Sequence, residues 1–183
     1  LQQRYETPLL HTGIDTLYSM LPQAAVGCSP YASFGYRYVM KNGLLQSIEI
    51  GEYGRRLLAC TVPVTQILIN NKNDMVIDEI LFAGEGRTLL HGYADIFEDT
   101  RAYFIRVDCP LPVLEAREIA RNDRHRGLAR LQFNQVHNHP YRYDLAVNTS
   151  THSAEECAEF ILRFIREEGN PTAFAAIRAH KKA

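Results

Sequence analysis

The sequence lacks an excess of charge of either sign. Its 183 residues include 20 lysines and arginines and 21 aspartates and glutamates, and the two kinds are interleaved along the chain. Nucleic acids and anionic membranes select clusters of positive charge, so this distribution argues against both as partners. We therefore expect a small-molecule partner, and self-association into a homo-oligomer is left open.

Paired cysteines are also lacking. The four cysteines lie 32, 49 and 48 residues apart, with no CxxC pair and no metal-like spacing, at Cys28, Cys60, Cys109 and Cys157. A chain of this length can bury a core without disulfides. We expect reduced, mostly buried thiols, and no disulfide scaffold or cysteine-based metal site.

Long apolar runs are absent as well. No window approaches the roughly 18 consecutive apolar residues of a membrane span, and no leader-like segment precedes the first predicted strand. The length and the hydrophobic fraction of 46% fit one globular domain that covers residues 1–183. These observations predict a cytoplasmic protein with a single domain and no membrane partner.

Strand and helix patterns alternate along the chain. Strands are predicted at residues 9–12, 34–40, 44–50, 75–81, 104–108 and 143–147. Helices are predicted at residues 15–20 and 52–70, and another begins at a capping box of Ser153 and Glu156. This alternation predicts an α/β fold with a mostly parallel sheet. Residues 34–50 are the exception, because Asn42-Gly43 favours the tight turn of a hairpin.

Two helical segments carry more specific expectations. Pro63 should kink or interrupt the helix at residues 52–70. The buried face of that helix is assigned to its apolar positions, Tyr53, Leu57, Ala59, Cys60, Val64, Ile67 and Leu68. The chain after residue 172 is predicted to be a surface helix or a frayed end.

Polar residues collect where the predicted strands end. These residues are Thr12-Gly13-Ile14-Asp15, Asp78-Glu79, Asp108 and Asn148-Thr149. In parallel sheets, ligands bind beyond the carboxyl ends of the strands. The sequence therefore places a candidate site at this edge of the sheet.

Three of these stretches, together with the arginine-rich segment 115–124, resemble the chloramphenicol phosphotransferase family, a branch of the P-loop kinases. The resemblance runs in order over roughly residues 1–166. It implies a three-layer P-loop kinase-like fold, ATP and Mg²⁺ as cofactors, and transfer of the γ-phosphoryl group to a hydroxyl of a small molecule. The hairpin, at about residues 31–50, would be the substrate region.

The family's strand-end Gly-x-Asp corresponds to Gly13-Ile14-Asp15. The resemblance implies that Asp15 is the catalytic base, which accepts the proton of the attacking hydroxyl. A carboxylate suits this role, because phosphoryl transfer mainly requires that the hydroxyl is positioned and its proton taken late. The alternative is that Asp15 or Thr12 only caps the helix that follows.

The family's apolar strand that ends in acids corresponds to Val76-Ile77-Asp78-Glu79. By this resemblance Asp78 would hold Mg²⁺, directly or through water. The alternative is an acid that caps a helix or pairs with a lysine.

A lid-like stretch at about residues 117–130 contains Arg117, Arg121 and Arg124, with Gly127 as a candidate hinge. The resemblance implies that Arg121 and Arg124 bind nucleotide phosphates, which suits planar guanidinium groups. Alternatively, the acids Glu115, Glu118 and Asp123 neutralise these arginines on a solvated helix face. The turn at Thr149 matches the family's turn near the nucleotide base, although threonine there is also an ordinary cap.

Two further features have open interpretations. His137 and His139 lack a third metal ligand at a suitable spacing, so surface or substrate-loop histidines are the better interpretation. The tyrosines in and around the hairpin either stack on an aromatic substrate or simply follow the preference of aromatic residues for strands. They are Tyr31, Tyr36, Tyr38 and Tyr53.

The family's phosphate-binding loop, which ends in Gly-Lys-Ser/Thr, does not occur in these 183 residues. We expect residues upstream of Leu1 to supply this loop and a central strand, without which the 183 residues should not form a stable monomer unless they borrow a strand from a neighbouring molecule. The rival hypothesis is a non-catalytic P-loop-like domain that binds a ligand or a protein without gripping phosphate.

Overall fold

The computed structural model describes residues 1–81, 85–121, 124–137, 140–167 and 169–182. Its strands are β1 (Leu9–Thr12), β2 (Val26–Gly27), β3 (Tyr36–Lys41), β4 (Leu44–Ile50), β5 (Asp74–Ile77), β6 (Ile105–Asp108) and β7 (Leu145–Asn148). Its helices are α1 (Ile14–Tyr18), α2 (Glu52–Asn70), α3 (Glu85–Ile96), α4 (Leu111–Arg121), α5 (Leu128–His137), α6 (Ala154–Glu167) and α7 (Ala173–Lys182). The predicted α/β alternation is confirmed.

Parallel pairing dominates outside the hairpin. Strand β1 pairs with β5 in parallel register, from Leu9 opposite Asp74 to Thr12 opposite Ile77. Strands β6 and β7 form a second parallel pair. Within the described residues these pairs are two separate sheets, with β5 bonded only to β1 and β6 only to β7.

The antiparallel hairpin of β3 and β4 forms where the sequence predicts it. Its turn residues, Asn42 and Gly43, have φ values of 51° and 75°. Both values lie in the left-handed region that a primed two-residue turn requires, which explains the Asn-Gly dipeptide. Strand β2 adds to this hairpin in parallel with β3.

Helix α2 is not interrupted at Pro63, although a kink there stays untested, and its buried face differs from the predicted one. It runs through Pro63 without interruption, and both Pro63 and Ala59 are exposed, so water can bond the Ala59 carbonyl that proline leaves unpaired. The predicted apolar face is wrong, because Tyr53 and Ile67 are 51% and 61% exposed.

The buried positions of α2 are small or hydroxyl-bearing residues: Gly54, Thr61 and Thr65. The Thr65 hydroxyl donates to the Thr61 carbonyl at 2.9 Å. Because such a hydroxyl is satisfied by its own helix, it can be buried at little cost.

The main core lies between α3 and α7. It contains Leu89, Leu90, Tyr93, Ala94 and Phe97 of α3 with Phe174 and Ile177 of α7. The predicted C-terminal helix is confirmed, but its described residues pack into the core instead of fraying, since Ile177 is fully buried. A second cluster packs α6 on β7.

Helix α6 begins with the predicted capping box. The Ser153 N–H donates to Glu156 Oε2 at 2.7 Å, and the Glu156 N–H donates to Ser153 Oγ at 3.2 Å. All four cysteines are free, but only Cys109 and Cys157 are buried, whereas Cys28 and Cys60 are exposed. Among the described residues, no helix combines the length and apolar content needed to cross a membrane.

Candidate active site

The ends of β1 and β5 are joined backbone to backbone. The Asp78 N–H donates to the Thr12 carbonyl at 2.8 Å, which extends the ladder one residue beyond β5. A Cβ atom on Gly13 would lie 2.1 Å from the Asp78 carbonyl oxygen, so only glycine fits there. This close approach of Gly13 to Asp78 fixes the backbone turn after β1. The turn places Asp15 near Asp78 and Glu79.

Asp15 lies in the first turn of α1 and is exposed. The N-cap of α1 is Gly13, and no side chain makes a capping hydrogen bond there. The alternative in which Thr12 or Asp15 caps the helix is therefore wrong. The Asp15 carboxylate remains open to an incoming group, and its role as a base stays a prediction.

Asp78 points outward. Its side chain is 78% exposed, and its Oδ2 lies 3.8 Å from His11 Nε2. The partner is thus a histidine and not a lysine, at a distance longer than a hydrogen bond. Its role towards a metal is untested.

Glu79 points inward and is the carboxylate that the sequence analysis passed over. Its Oε1 accepts a hydrogen bond of 2.9 Å from the Tyr93 hydroxyl. Its Oε2 is buried without a normal hydrogen bond to the described residues. Burial is the main cause that raises the Glu79 pKa to about 7, and the Tyr93 hydroxyl and the Ile14 amide oppose the rise.

The sequence signal that could have identified Glu79 was the alternation of side chains between the two faces of a strand. Two consecutive acids after an apolar strand cannot both face solvent if the strand continues, so one of Asp78 and Glu79 had to point inward. The sequence alone could not say which.

Arg117 is held by the protein itself. Its guanidinium donates to Thr149 Oγ1 at 3.0 Å and also to the Thr149 carbonyl. The Thr149 amide and hydroxyl in turn bond the Asp108 carbonyl, at 2.9 and 3.2 Å. Arg117 and Thr149 thus tie α4 to the ends of β6 and β7, and the nucleotide-side role of Thr149 stays a prediction.

Arg121 and Arg124 line a cleft of about 320 Å³ beyond the end of β6. The cleft is also lined by Val107 and Asp108 of β6 and by residues of α4 and α5. Both arginines are exposed, and neither has a hydrogen-bond or ion-pair partner in the part of the chain that is described. The structure therefore brings the two predicted phosphate ligands to one cleft.

The acids expected to neutralise these arginines are occupied elsewhere. Glu118 accepts hydrogen bonds from the Gly127 and Ala129 amides at 2.9 and 2.7 Å. Glu115 pairs with Arg130 at 2.7 Å. The neutralisation alternative is thus wrong for these two acids, and Asp123 lies outside the described residues.

Gly127 connects the lid to the hairpin. It has a φ of 99°, and the Leu45 N–H donates to the carbonyl of the preceding Arg126 at 2.7 Å. The glycine thus provides a backbone conformation that other residues rarely adopt. Whether the lid moves about it is untested.

The hairpin tyrosines divide into two groups. Tyr36 and Tyr38 belong to a series of ring contacts from Tyr18 to His125, with centroid separations of 5.2, 5.6 and 4.9 Å. Burial raises the pKa of Tyr36 to about 12. Tyr31 and Tyr53 are more than half exposed. Stacking of any of them on a substrate stays a prediction.

A preformed metal centre is not found within the described residues, where no three His, Cys, Asp or Glu side chains converge. The histidine pair expected not to bind metal cannot be compared, because residues 138–139 and the His137 side chain lie outside the described part. Mg²⁺ commonly uses one or two carboxylates with phosphate and water. The exposed carboxylate of Asp78 fits such a partial ligand set.

Comparison with known proteins identifies the family of the chain. A family model described as chloramphenicol phosphotransferase-like protein matches residues 1–166. The matched span includes Asp15, Asp78, Arg121, Arg124 and Thr149 and ends before α7. A search of curated proteins finds no match.

Proposed function

Because the chain belongs to the chloramphenicol phosphotransferase-like family, we propose that it transfers the γ-phosphoryl group of ATP to a hydroxyl of a small molecule. The observation that carries this proposal is the state of Asp15. Its carboxylate lies at the carboxyl end of a parallel strand, is exposed, and is not used as a helix cap.

The proposed reaction is a direct displacement at phosphorus. The acceptor oxygen forms a bond to the γ-phosphorus while the bond to the β–γ bridging oxygen breaks, and ADP leaves. Asp15 accepts the hydroxyl proton as that bond forms. The carboxylate acts by position and as a proton acceptor, and it forms no bond to phosphorus.

The phosphates of ATP would bind in the cleft lined by Arg121 and Arg124. Arg121 and Arg124 would donate hydrogen bonds to phosphate oxygens, because both residues are exposed and line the cleft. Thr149, which lies at the end of β7, would adjoin the nucleotide base. Mg²⁺, held by Asp78 and water, would offset negative charge on the phosphates.

The sequence also supplies a reason to test the rival function. No Gly-Lys-Ser/Thr motif occurs in the 183 residues, and such a motif is what grips the phosphates in P-loop kinases. A non-catalytic relative would bind a ligand or a protein through the same surface.

The test is a transfer assay on the protein expressed from its complete reading frame. The protein is incubated with MgATP and a panel of alcohols that begins with chloramphenicol, and products are identified by mass spectrometry. An acceptor that gains one phosphoryl group, with ADP in equal amount, supports the proposal. Nucleotide binding without transfer to any acceptor supports the rival.

A further inference from the structure

Glu79 emerges directly beside the start of α1. The hydrogen bond from the Asp78 amide to Thr12 and the contact of Gly13 with the Asp78 carbonyl hold the two segments together. The next residue on one segment is Ile14, and the next on the other is Glu79. Their proximity is therefore built into the backbone.

The Glu79 carboxylate is fixed from the side of α3. The Tyr93 hydroxyl donates to Oε1 at 2.9 Å, and Tyr93 itself is only 4% exposed in the main core. The Ile14 amide lies close enough to interact with the carboxylate. The Glu79 side chain thus lies between the core residue Tyr93, the end of β5 and the first turn of α1.

Helix α1 is too short to be stable without its neighbouring elements. It is five residues long, and its N-cap glycine offers no side chain to the free amides of the first turn. Isolated helices of this length are unstable in water, so neighbouring groups must set the direction of the turn. The Glu79 carboxylate lies beside this turn, and the Ile14 amide opposes the rise of its pKa.

We propose that Glu79 is a positioning residue for Asp15, which it serves by fixing the first turn of α1 from the end of β5. The role of Asp15 as the base rests on the function proposed above, whereas the structural link between Glu79 and α1 does not. Asp78 cannot do the same, because its side chain faces solvent and His11.

The test is a double-mutant cycle with Glu79→Ala and Asp15→Asn in the protein from its complete reading frame. We expect Glu79→Ala to lower kcat about 10- to 100-fold, the scale of a misplaced catalytic group, with the KM for ATP unchanged. In the Asp15→Asn background the same change should cost almost nothing, because the residue through which Glu79 acts is already lost.

Two variants serve as controls. Glu79→Gln keeps the length and an acceptor oxygen, so it should restore most of kcat. Glu98→Ala removes an exposed carboxylate two residues beyond α3 and should change neither constant. An equal loss from Glu79→Ala with and without Asp15 would overturn the proposal, as would a failure of glutamine to rescue.

A second readout needs no substrate. Amide hydrogen exchange across residues 14–18 should quicken at least about tenfold in Glu79→Ala and remain near wild type in Glu79→Gln. Unchanged exchange in Glu79→Ala would refute the positioning role even if the enzyme is active. If no acceptor is phosphorylated, the proposed function fails while exchange still decides the role of Glu79.

Discussion

The environment of Glu79 makes the stability of the protein depend on pH. Its pKa is raised from the ordinary 4.5 to about 7, with burial as the largest cause. Between these values the folded chain keeps a proton that the unfolded chain has released. The unfolded state then binds fewer protons, so the free energy of unfolding must fall as the pH rises through this window.

We expect Glu79→Gln to remove that loss. The raised pKa corresponds to roughly 3 kcal/mol between pH 4.5 and 7, and a neutral glutamine has no proton to release. Urea unfolding at pH 5 and pH 8 measures the difference. A wild-type stability that falls no more than that of Glu79→Gln would contradict the buried environment of this carboxylate.

The arginines of the lid segment should separate into two functional groups. Arg121→Ala and Arg124→Ala should each raise the KM for ATP about tenfold or lower turnover, with little change in Tm, because both side chains are exposed and unpaired in the described part. Arg117→Ala should instead lower Tm, since it breaks the bonds to Thr149. Steady-state kinetics and thermal unfolding of the three variants provide the comparison, and a Tm loss confined to Arg121 or Arg124 would favour a structural role for them.

At the scale of elements, α7 depends on one cap supplied from the start of β7. Asp144 Oδ1 accepts from the Thr172 and Ala173 amides at 2.7 and 3.0 Å, and its Oδ2 accepts from the Phe104 amide at 2.9 Å. Asp144→Ala should cost about 1–3 kcal/mol, because three backbone donors lose their acceptor. Denaturant unfolding measures this cost. The exposed Asp99→Ala is the control, and equal stability of the two variants would contradict the capping role.

Short sequence motifs correctly predicted the structural elements that they form. The Asn42-Gly43 turn and the Ser153 capping box depend only on residues that are neighbours in sequence. Both could therefore be predicted from the sequence. The buried face of α2 was not, since Gly54, Thr61 and Thr65 are buried by close backbone approach and by their own hydroxyl bonds. Apolar residues of α2 such as Tyr53 and Ile67 remain exposed because none of the described elements covers that side.

In the candidate site, too, some features were predictable from local sequence and others depend on packing. A strand-end aspartate and a pair of lid arginines were recognisable as residue types in order. The inward orientation of Glu79 and the pairing of Arg117 with Thr149 depend on which elements pack together in three dimensions. The packing of α7 was not predictable for the same reason, because its cap lies 28 residues away in sequence.

At the scale of the whole molecule, the two parallel pairs raise the question of what joins them. Within the described residues, β5 and β6 each have one hydrogen-bonded neighbour. Unpaired strand edges leave backbone groups without partners, at roughly 1–3 kcal/mol for each buried group. We expect residues 1–183 alone to unfold without a cooperative transition, which circular dichroism during heating measures. A soluble monomer of these residues with a sharp transition would show that the two pairs need no further strand.

Steady-state kinetics of Asp15→Asn decide whether Asp15 is the base of the proposed phosphoryl transfer. In the protein from its complete reading frame, we expect kcat to fall at least about 100-fold while the affinity for ATP is unchanged, since the proposed role places Asp15 against the acceptor hydroxyl and not the nucleotide. Near-normal turnover in Asp15→Asn, with the same affinity for ATP, would contradict this role.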